Sequence, residues 1–238
     1  VRVVSLVPSA TETLRALGVT PLACTRFCEQ PDLPTVGGTK NPKLDEIVAL
    51  KPDLVVVNDE ENRREDADAL RAAGVALHSM SPRSVTDVGP AVRALAGAIG
   101  AAVPPPFPAG EWETWLRERS SHADRGRVAV LIWRRPWMTM RDDTYGSSVL
   151  QHLGWDNVWA GAPDRYPVLT LDQLAAHRPA LVLLPSEPYP FAERHVAAVT
   201  EGCPGAQVIL VDGQDLVWWG IRTPAALGRL GRALPRPQ

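Results

Sequence analysis

One segment of this chain occurs twice. Leu44-Asp-Glu-Ile-Val-Ala-Leu-Lys-Pro-Asp-Leu-Val-Val-Val57 returns as Leu171-Asp-Gln-Leu-Ala-Ala-His-Arg-Pro-Ala-Leu-Val-Leu-Leu184, keeping Leu, Asp, Ala, Pro, Leu and Val in register. In each copy a short helical pattern runs up to a proline, which cannot continue a helix. An apolar run follows and reads as a buried strand. A chain that repeats a helix–proline–strand unit folds as two related halves. In the second copy Thr170 followed by Gln173 reads as a capping box that fixes the helix start.

Further β-rich runs stand at Val3–Val7, Val75–His78, Val128–Trp133 and Val208–Val211, most of them alternating with helical patterns. That alternation predicts an α/β chain: two Rossmann-like lobes with parallel sheets, joined by a connecting helix, with a ligand cleft between them. The expected division is a lobe over 1–100, a connector and linking helix over 101–124, and a second lobe over 125–238. The prolines of Ala101–Gly110 predict a stiff extended segment. Glu111–Ser120 reads as a helix of the connection.

Composition narrows the partners. Among 238 residues the formal net charge is -2, and no basic block exceeds two or three arginines, so nucleic acid is not an expected partner. Charged residues, prolines or glycines interrupt every apolar run, so no transmembrane segment is expected. The three cysteines, Cys24, Cys28 and Cys203, cannot all pair in one chain, and Cys24-Thr-Arg-Phe-Cys28 is neither a CxxC pair nor a zinc knuckle. Thiols of a reducing compartment are the plain reading. Val1–Val7 already reads as a core strand without a signal peptide ahead of it. Either a leader has been removed, or Val1 is the true start and the protein is cytoplasmic.

In open parallel sheets, ligands sit beyond the carboxyl ends of the strands. The segments there are rich in polar and aromatic groups: Pro8–Glu12, Asn58–Arg63, Trp133–Met138, Pro185–Pro190 and Gly213–Arg222. Four of the eight tryptophans, Trp133, Trp137, Trp218 and Trp219, fall in these loops. Their flat faces suit a large, planar, semi-apolar ligand. Any one of them can equally plug the floor of a cleft. Arg222 precedes Thr223-Pro224, a helix start with Thr as cap and Pro at the first position. The expected ligand contacts are Trp133, Trp137, Tyr145, Glu187, Trp218, Trp219 and Arg222 from the second half, with Cys28, Thr39, Asn58 and Asn62 from the first.

Signatures of catalysis are missing: there is no GxGxxG, Walker loop, HExxH or GxSxG. The five histidines are scattered singly, so no metal site and no catalytic residue are expected. Cys28 beside Glu29 is the most reactive-looking pair, since a thiolate can ligate a soft metal. An enzyme reading would use Cys28, Glu29 or Glu187.

Ser5-Leu-Val-Pro-Ser-Ala-Thr-Glu12, Val36-Gly-Gly-Thr-Lys-Asn-Pro42 and the repeated segment resemble the helical-backbone metal receptor family, the class III periplasmic binding proteins that serve cobalamin and iron-siderophore importers. In the second half Asp143-Thr-Tyr145, Leu153–Val158 and Trp218–Pro224 match in order. The resemblance implies a non-catalytic, monomeric binder of a small-molecule metal chelate with an ABC permease as partner. It needs no cofactor of its own, and its ligand is a cobalamin-like corrinoid or an iron chelate. The tryptophans favour cobalamin, whereas Arg134, Arg135, Arg141 and Arg222 keep an anionic siderophore open. Family members dock on the permease through glutamates at two helix starts, which correspond here to Asp45 and Asp172. Aspartate in a first turn also stabilises the helix dipole on its own account. The resemblance implies a periplasmic or cell-surface location. A cytoplasmic corrinoid-handling relative without a permease is the alternative.

Overall fold

The computed structural model describes residues 1–120 and 125–235; residues 121–124, the end of the segment read as a connector, lie outside the described residues. Up to residue 120 the chain forms β1 (Val3–Ser5), α1 (Pro8–Ala16), β2 (Ala23–Cys24), α2 (Leu44–Ala49), β3 (Leu54–Val57), α3 (Arg64–Ala72), β4 (Leu77–Ser79), α4 (Val85–Ile99) and α5 (Glu111–Arg119). It continues with β5 (Gly126–Val130), β6 (Trp137–Met138), α6 (Tyr145–His152), β7 (Trp155–Asn157), β8 (Val168–Leu169) and α7 (Leu171–Ala176). The last elements are β9 (Leu181–Pro185), α8 (Glu193–Gly202), β10 (Gln207–Val211), α9 (Gly213–Val217) and α10 (Thr223–Ala233).

Two compact units result. The first comprises Val1–Pro82, Thr86–Trp115 and Trp219–Arg222, and the second Arg83–Val85, Leu116–Trp218 and Thr223–Gln238. Each holds one parallel four-stranded sheet, ordered β2-β1-β3-β4 in the first unit and β10-β9-β5-β7 in the second. Read from its other edge, the second order places first, second, third and fourth strands as the first sheet does. The second unit adds a small antiparallel pair, β6 with β8.

The repeated segment is the same structure in both units. α2 and α7 each end two residues before a basic residue with positive φ, Lys51 at 46° and Arg178 at 48°. Proline follows each of them, and the residue before a proline is driven out of the right-handed helical region. The chain therefore turns sharply and enters the sheet. Leu54 then pairs with Val3, and Leu181 with Val128. The capping box at Thr170 and Gln173 is formed, with the Gln173 amide 3.2 Å from Oγ1 of Thr170 and the Thr170 amide 2.8 Å from the Gln173 side chain. Apolar strand faces bury against helices in each unit, around Val4, Leu6, Ile47, Val55 and Leu70 in the first. The second core gathers Leu131, Leu174, Val182, Leu184 and Val199.

The proline-rich stretch differs from the extended rod expected of it. Phe107 N–H bonds back to Pro104 O (3.0 Å) and Glu111 N–H to Pro108 O (3.1 Å), so the segment folds into turns. The cause is Phe107, which is buried and stacks on Trp112 at 5.1 Å between ring centroids. Trp112 in turn lies over Gly89 of α4, where any Cβ would come within 2.3 Å of the indole. This packing makes residues 101–115 part of the first unit, so the compact units do not break at 100 and 125. Strand ends also shift. Val75 closes the turn after α3 through a bond to Leu70 O, leaving β4 to start at Leu77.

Candidate functional site

The strand order decides where a site can form. In the second unit β5 and β9 lie side by side at the centre, and the chain leaves them toward opposite edges, to β7 and to β10. Loops that diverge from neighbouring strands leave a crevice at their carboxyl ends. Residues 131–136 and 186–192 form those loops, and they carry a row of rings. Trp133, 43% exposed, meets Tyr189 edge-on at 5.5 Å. Tyr189 leans on Phe191 at 4.7 Å, and Phe191 stacks parallel to Trp137 at 6.1 Å. The Arg134 guanidinium lies 5.6 Å from the Trp137 ring centre. Trp137 and Tyr189 are rooted on the core of the unit while Trp133 projects from it.

His195 supports this row from below. It is buried, with its ring edge-on to Tyr189 and Phe191. Its Nδ1 accepts the Ala192 N–H at 3.0 Å, so the neutral ring carries its proton on Nε2. Burial, followed by the nearby charges of Arg194 and Arg134, holds its pKa below the usual histidine value.

The loop after β9 is locked to the segment after β10. Gly213 N–H donates to Ser186 Oγ at 2.9 Å, and a Cβ on Gly213 would stand 2.3 Å from the Glu187 backbone nitrogen. That close approach lets Glu187 accept the Trp218 indole N–H at 2.9 Å and the Gln214 amide at 3.4 Å. Trp218 is thereby pinned and buried within the unit. Tyr145 is buried too, with its hydroxyl 2.9 Å from Thr223 Oγ1 at the first residue of α10. Arg141 bonds Asp143 through Nε and Nη2, and that contact first of all, with Arg165 close by, holds the Asp143 carboxyl below the usual range.

Trp219 and Arg222 belong to the first unit, through the return of Trp219–Arg222. Arg222 forms a two-pronged ion pair with Glu12 of α1, at 2.7 and 3.2 Å. Thr13 Oγ1 accepts the Ile221 N–H at 3.2 Å, and Gly220 sits so close to it that a Cβ would be 2.2 Å away. Trp219 is buried. The Arg222 side chain is therefore held by the first unit itself.

The corresponding crevice of the first unit, between the ends of β1 and β3, is closed by asparagines. Asn62 donates to Leu6 O (3.3 Å) and Thr39 O (2.9 Å) and accepts the Asn58 N–H (2.8 Å). Asn58 donates to Met80 O (3.1 Å) and accepts the N–H groups of Glu60 and Glu61. Both are buried and bind loops together, and Thr39 contributes its carbonyl. Cys28 is buried with its sulfur 3.2 Å from the hydroxyls of Thr11 and Thr25. The exposed groups near it are ones the sequence reasoning passed over. Phe27 is 48% exposed, with the Arg26 guanidinium 4.7 Å from its ring centre and Gly38 providing the space beside both. Tyr189 and Phe191 were missed in the same way. The signal for all three was an aromatic residue within six positions of a strand's carboxyl end, Phe27 after β2 and Tyr189 and Phe191 after β9.

Asp45 and Asp172 are the second residues of α2 and α7, exposed and equivalent in the repeat. Among the described residues no group of three or more His, Cys, Asp or Glu side chains is placed to hold a metal ion, and no helix is long and apolar enough to cross a membrane.

Comparison with known proteins places this architecture. The periplasmic binding protein family model matches residues 3–187, and the chain belongs to that family. The vitamin B12-binding protein of Vibrio vulnificus (strain CMCP6) is 25% identical over 187 residues, covering 75% of this chain and 68% of the relative. That of Salmonella choleraesuis (strain SC-B67) is 26% identical over 194 residues, covering 77% and 71%. Among solved structures, the periplasmic vitamin B12 binding protein BtuF of Vibrio cholerae matches with a TM-score of 0.80 at 19% identity, over 97% of this chain and 95% of that one. The periplasmic heme binding protein HutB of Vibrio cholerae matches with 0.78 at 18% identity, over 98% of both. The chain is thus a binding protein and not an enzyme, on the α/β fold of parallel sheets in two lobes.

Proposed function

We propose that the chain captures a cobalamin-like corrinoid and delivers it to an ABC permease. The observation that carries this reading is the exposed indole of Trp133, set against Tyr189 at the crevice of the second sheet and backed by Trp137, Phe191 and His195. Rings of this kind offer flat apolar area to a bulky ligand that bears little charge. The relatives named as vitamin B12-binding proteins support the same choice. An anionic siderophore calls for unpaired cations, yet two of the four candidate arginines are engaged, Arg141 with Asp143 and Arg222 with Glu12. Heme calls for an axial ligand; the His195 Nδ1 lone pair is already taken by the Ala192 N–H, so a heme here would have to be ligated by Tyr189, and titration with hemin separates that case from a corrinoid. In this reading Trp133, Trp137 and Tyr189 face the ligand. Glu187 and Trp218 fix the loop beside them, and Asp45 and Asp172 present matched carboxylates to the permease.

Calorimetric titration with cyanocobalamin, cobinamide, hemin and a ferric siderophore tests the assignment. Tight one-to-one binding of the corrinoids is expected. A dissociation constant above about 10 μM for both corrinoids, equivalent to only ~7 kcal/mol, overturns it. Tight binding of hemin or of the siderophore in their place reassigns the ligand.

A further inference from the structure

Two of the three cysteines lie together in the first unit. Cys24 and Cys28 form a small buried cluster with Leu33, each only 1% exposed, separate from the main core of that unit. Their surroundings are unequal. Cys24 is the last residue of β2, and its backbone is bound on both sides, its N–H to Pro34 O (3.0 Å) and its C=O by the Val36 N–H (2.9 Å). Cys28 closes a turn whose backbone hydrogen bond runs to Thr25 O at 3.1 Å. Arg26, Phe27 and Glu29 around it are exposed, and Glu29 has a φ of 52°. Only the side chain of Cys28 sits between two hydroxyls, those of Thr11 and Thr25, each at 3.2 Å; Val7 O (2.9 Å) and Ser5 Oγ (2.8 Å) compete for the single Thr11 proton, so Thr25 is the donor left to the sulfur.

That cradle is suited to a sulfur anion. Hydroxyl donors stabilise a thiolate, and a thiolate is the nucleophile in thiol–disulfide exchange. The Cys24 thiol beside it, followed against the cost of burial by the Thr11 and Thr25 hydroxyls, lowers the Cys28 pKa to about 6. The same neighbour, together with burial, drives Cys24 upward. Neither cysteine is used by the proposed ligand site, and Cys203 lies in the core of the other unit.

We propose that Cys24 and Cys28 are a redox modification site for low-molecular-weight disulfides, with Cys28 as the attacking thiolate and Cys24 as the resolving thiol. The Cys28 sulfur attacks one sulfur of the reagent RSSR, forming a mixed disulfide and releasing RS⁻. Cys24 then gives up its proton and attacks the Cys28 sulfur, forming the internal disulfide and expelling a second RS⁻, one of the two leaving thiolates taking the proton. The two protein sulfurs are oxidised by two electrons and RSSR is reduced to two thiols. Access requires opening of the Thr25–Cys28 turn and release of the Arg26 N–H from Gly37 O (3.0 Å), a local event that needs no global unfolding. The finished ring encloses Thr25, Arg26 and Phe27, so oxidation staples the exposed Arg26–Phe27 tip.

The test uses the full chain, reduced and then equilibrated with oxidised glutathione under native conditions monitored by circular dichroism. Remaining thiols are trapped with N-ethylmaleimide and mapped by mass spectrometry. The expected product links Cys24 to Cys28, while Cys203 stays reduced. Cys24→Ser is expected to accumulate a glutathione mixed disulfide on Cys28 at least tenfold faster than Cys28→Ser accumulates one on Cys24. Thr25→Val, which keeps both thiols, should slow the reaction several-fold at neutral pH. Failure of the native wild-type chain to form the internal disulfide, when the urea-unfolded chain does form it, overturns the proposal without using any variant. Equal rates in the two serine variants overturn the division of roles. Corrinoid binding is measured separately, so its failure leaves this chemistry unaffected.

Discussion

Removing the Trp133 indole isolates what the aromatic row contributes to binding. Tryptophan presents up to ~250 Å² of surface. At 43% exposure, roughly 110 Å² of it is still in contact with water. A flat ligand covers one face, about half of that area, and at ~25 cal/mol/Å² this corresponds to ~1.4 kcal/mol, or about tenfold in affinity. Trp133→Ala should therefore weaken cyanocobalamin binding about tenfold by calorimetry, and Trp133→Phe by less. Stability should fall as well, by at least the ~0.5–1.5 kcal/mol of the edge-on approach to Tyr189, so affinity is compared on protein shown to be folded. Trp137→Ala makes the useful contrast. Its ring is stacked on Phe191 and packed against the core, so its loss should lower the melting temperature further. Corrinoid affinity within twofold of wild type for a folded Trp133→Ala protein would refute the assignment of this crevice.

Other consequences can be measured directly. Glu12→Gln and Arg222→Gln should be non-additive in urea unfolding, with a coupling of ~1–2 kcal/mol from the two-pronged, partly buried pair; additive effects would mean that the pair does not hold the Trp219–Arg222 return. Gly89→Ala places a methyl group against Trp112, an overpacking cost of ~1–3 kcal/mol set against ~1 kcal/mol of helix propensity. A melting temperature above wild type would disprove that contact. Thr170→Ala should cost ~1 kcal/mol through loss of the formed capping box. Stability should also fall as the pH is lowered from 7 to 5. Burial holds His152 and His195 below their unfolded pKa, so the unfolded chain takes up protons that the folded chain refuses. Replacing His195 by Gln should flatten that slope, and an unchanged slope would count against the buried neutral ring.

The fold was legible where one local rule sufficed. The repeated Leu-Asp…Pro segment predicts a helix stop and a strand start, and Lys51 and Arg178 show how each stop is made, with positive φ directly ahead of proline. The strands at 54–57 and 181–185 need only an apolar run. β2, β7 and the β6–β8 pair were not foreseen. They are two or three residues long and exist because a neighbouring strand or loop completes their hydrogen bonds, which no short window of residues reveals. The proline-rich segment misled for a related reason: its conformation is set by the burial of Phe107 against Trp112.

Candidate site residues separate along the same line. The tendency of ligands to sit beyond strand ends points to Trp133, which lies in the loop after β5, and to Trp137, which opens the short strand β6 just beyond it, because position along the chain alone decides that. Whether a polar side chain there is available depends on partners elsewhere, and these are what the sequence conceals. Asn58 and Asn62 read as ligand donors until their bonds to Met80, Leu6 and Thr39 are seen. Arg222 reads as a rim cation until Glu12, 210 positions earlier, is found beside it. Gly220 is the residue that brings them together, since its φ of 99° and the 2.2 Å that a Cβ would leave to Thr13 Oγ1 restrict the position to glycine. Gly220→Ala should therefore act on Arg222 at a distance. It should lower stability by at least as much as Arg222→Gln, and the two changes together should cost little more than the first alone. Full additivity of the two would show that the close approach at Gly220 and the Glu12–Arg222 pair are independent features.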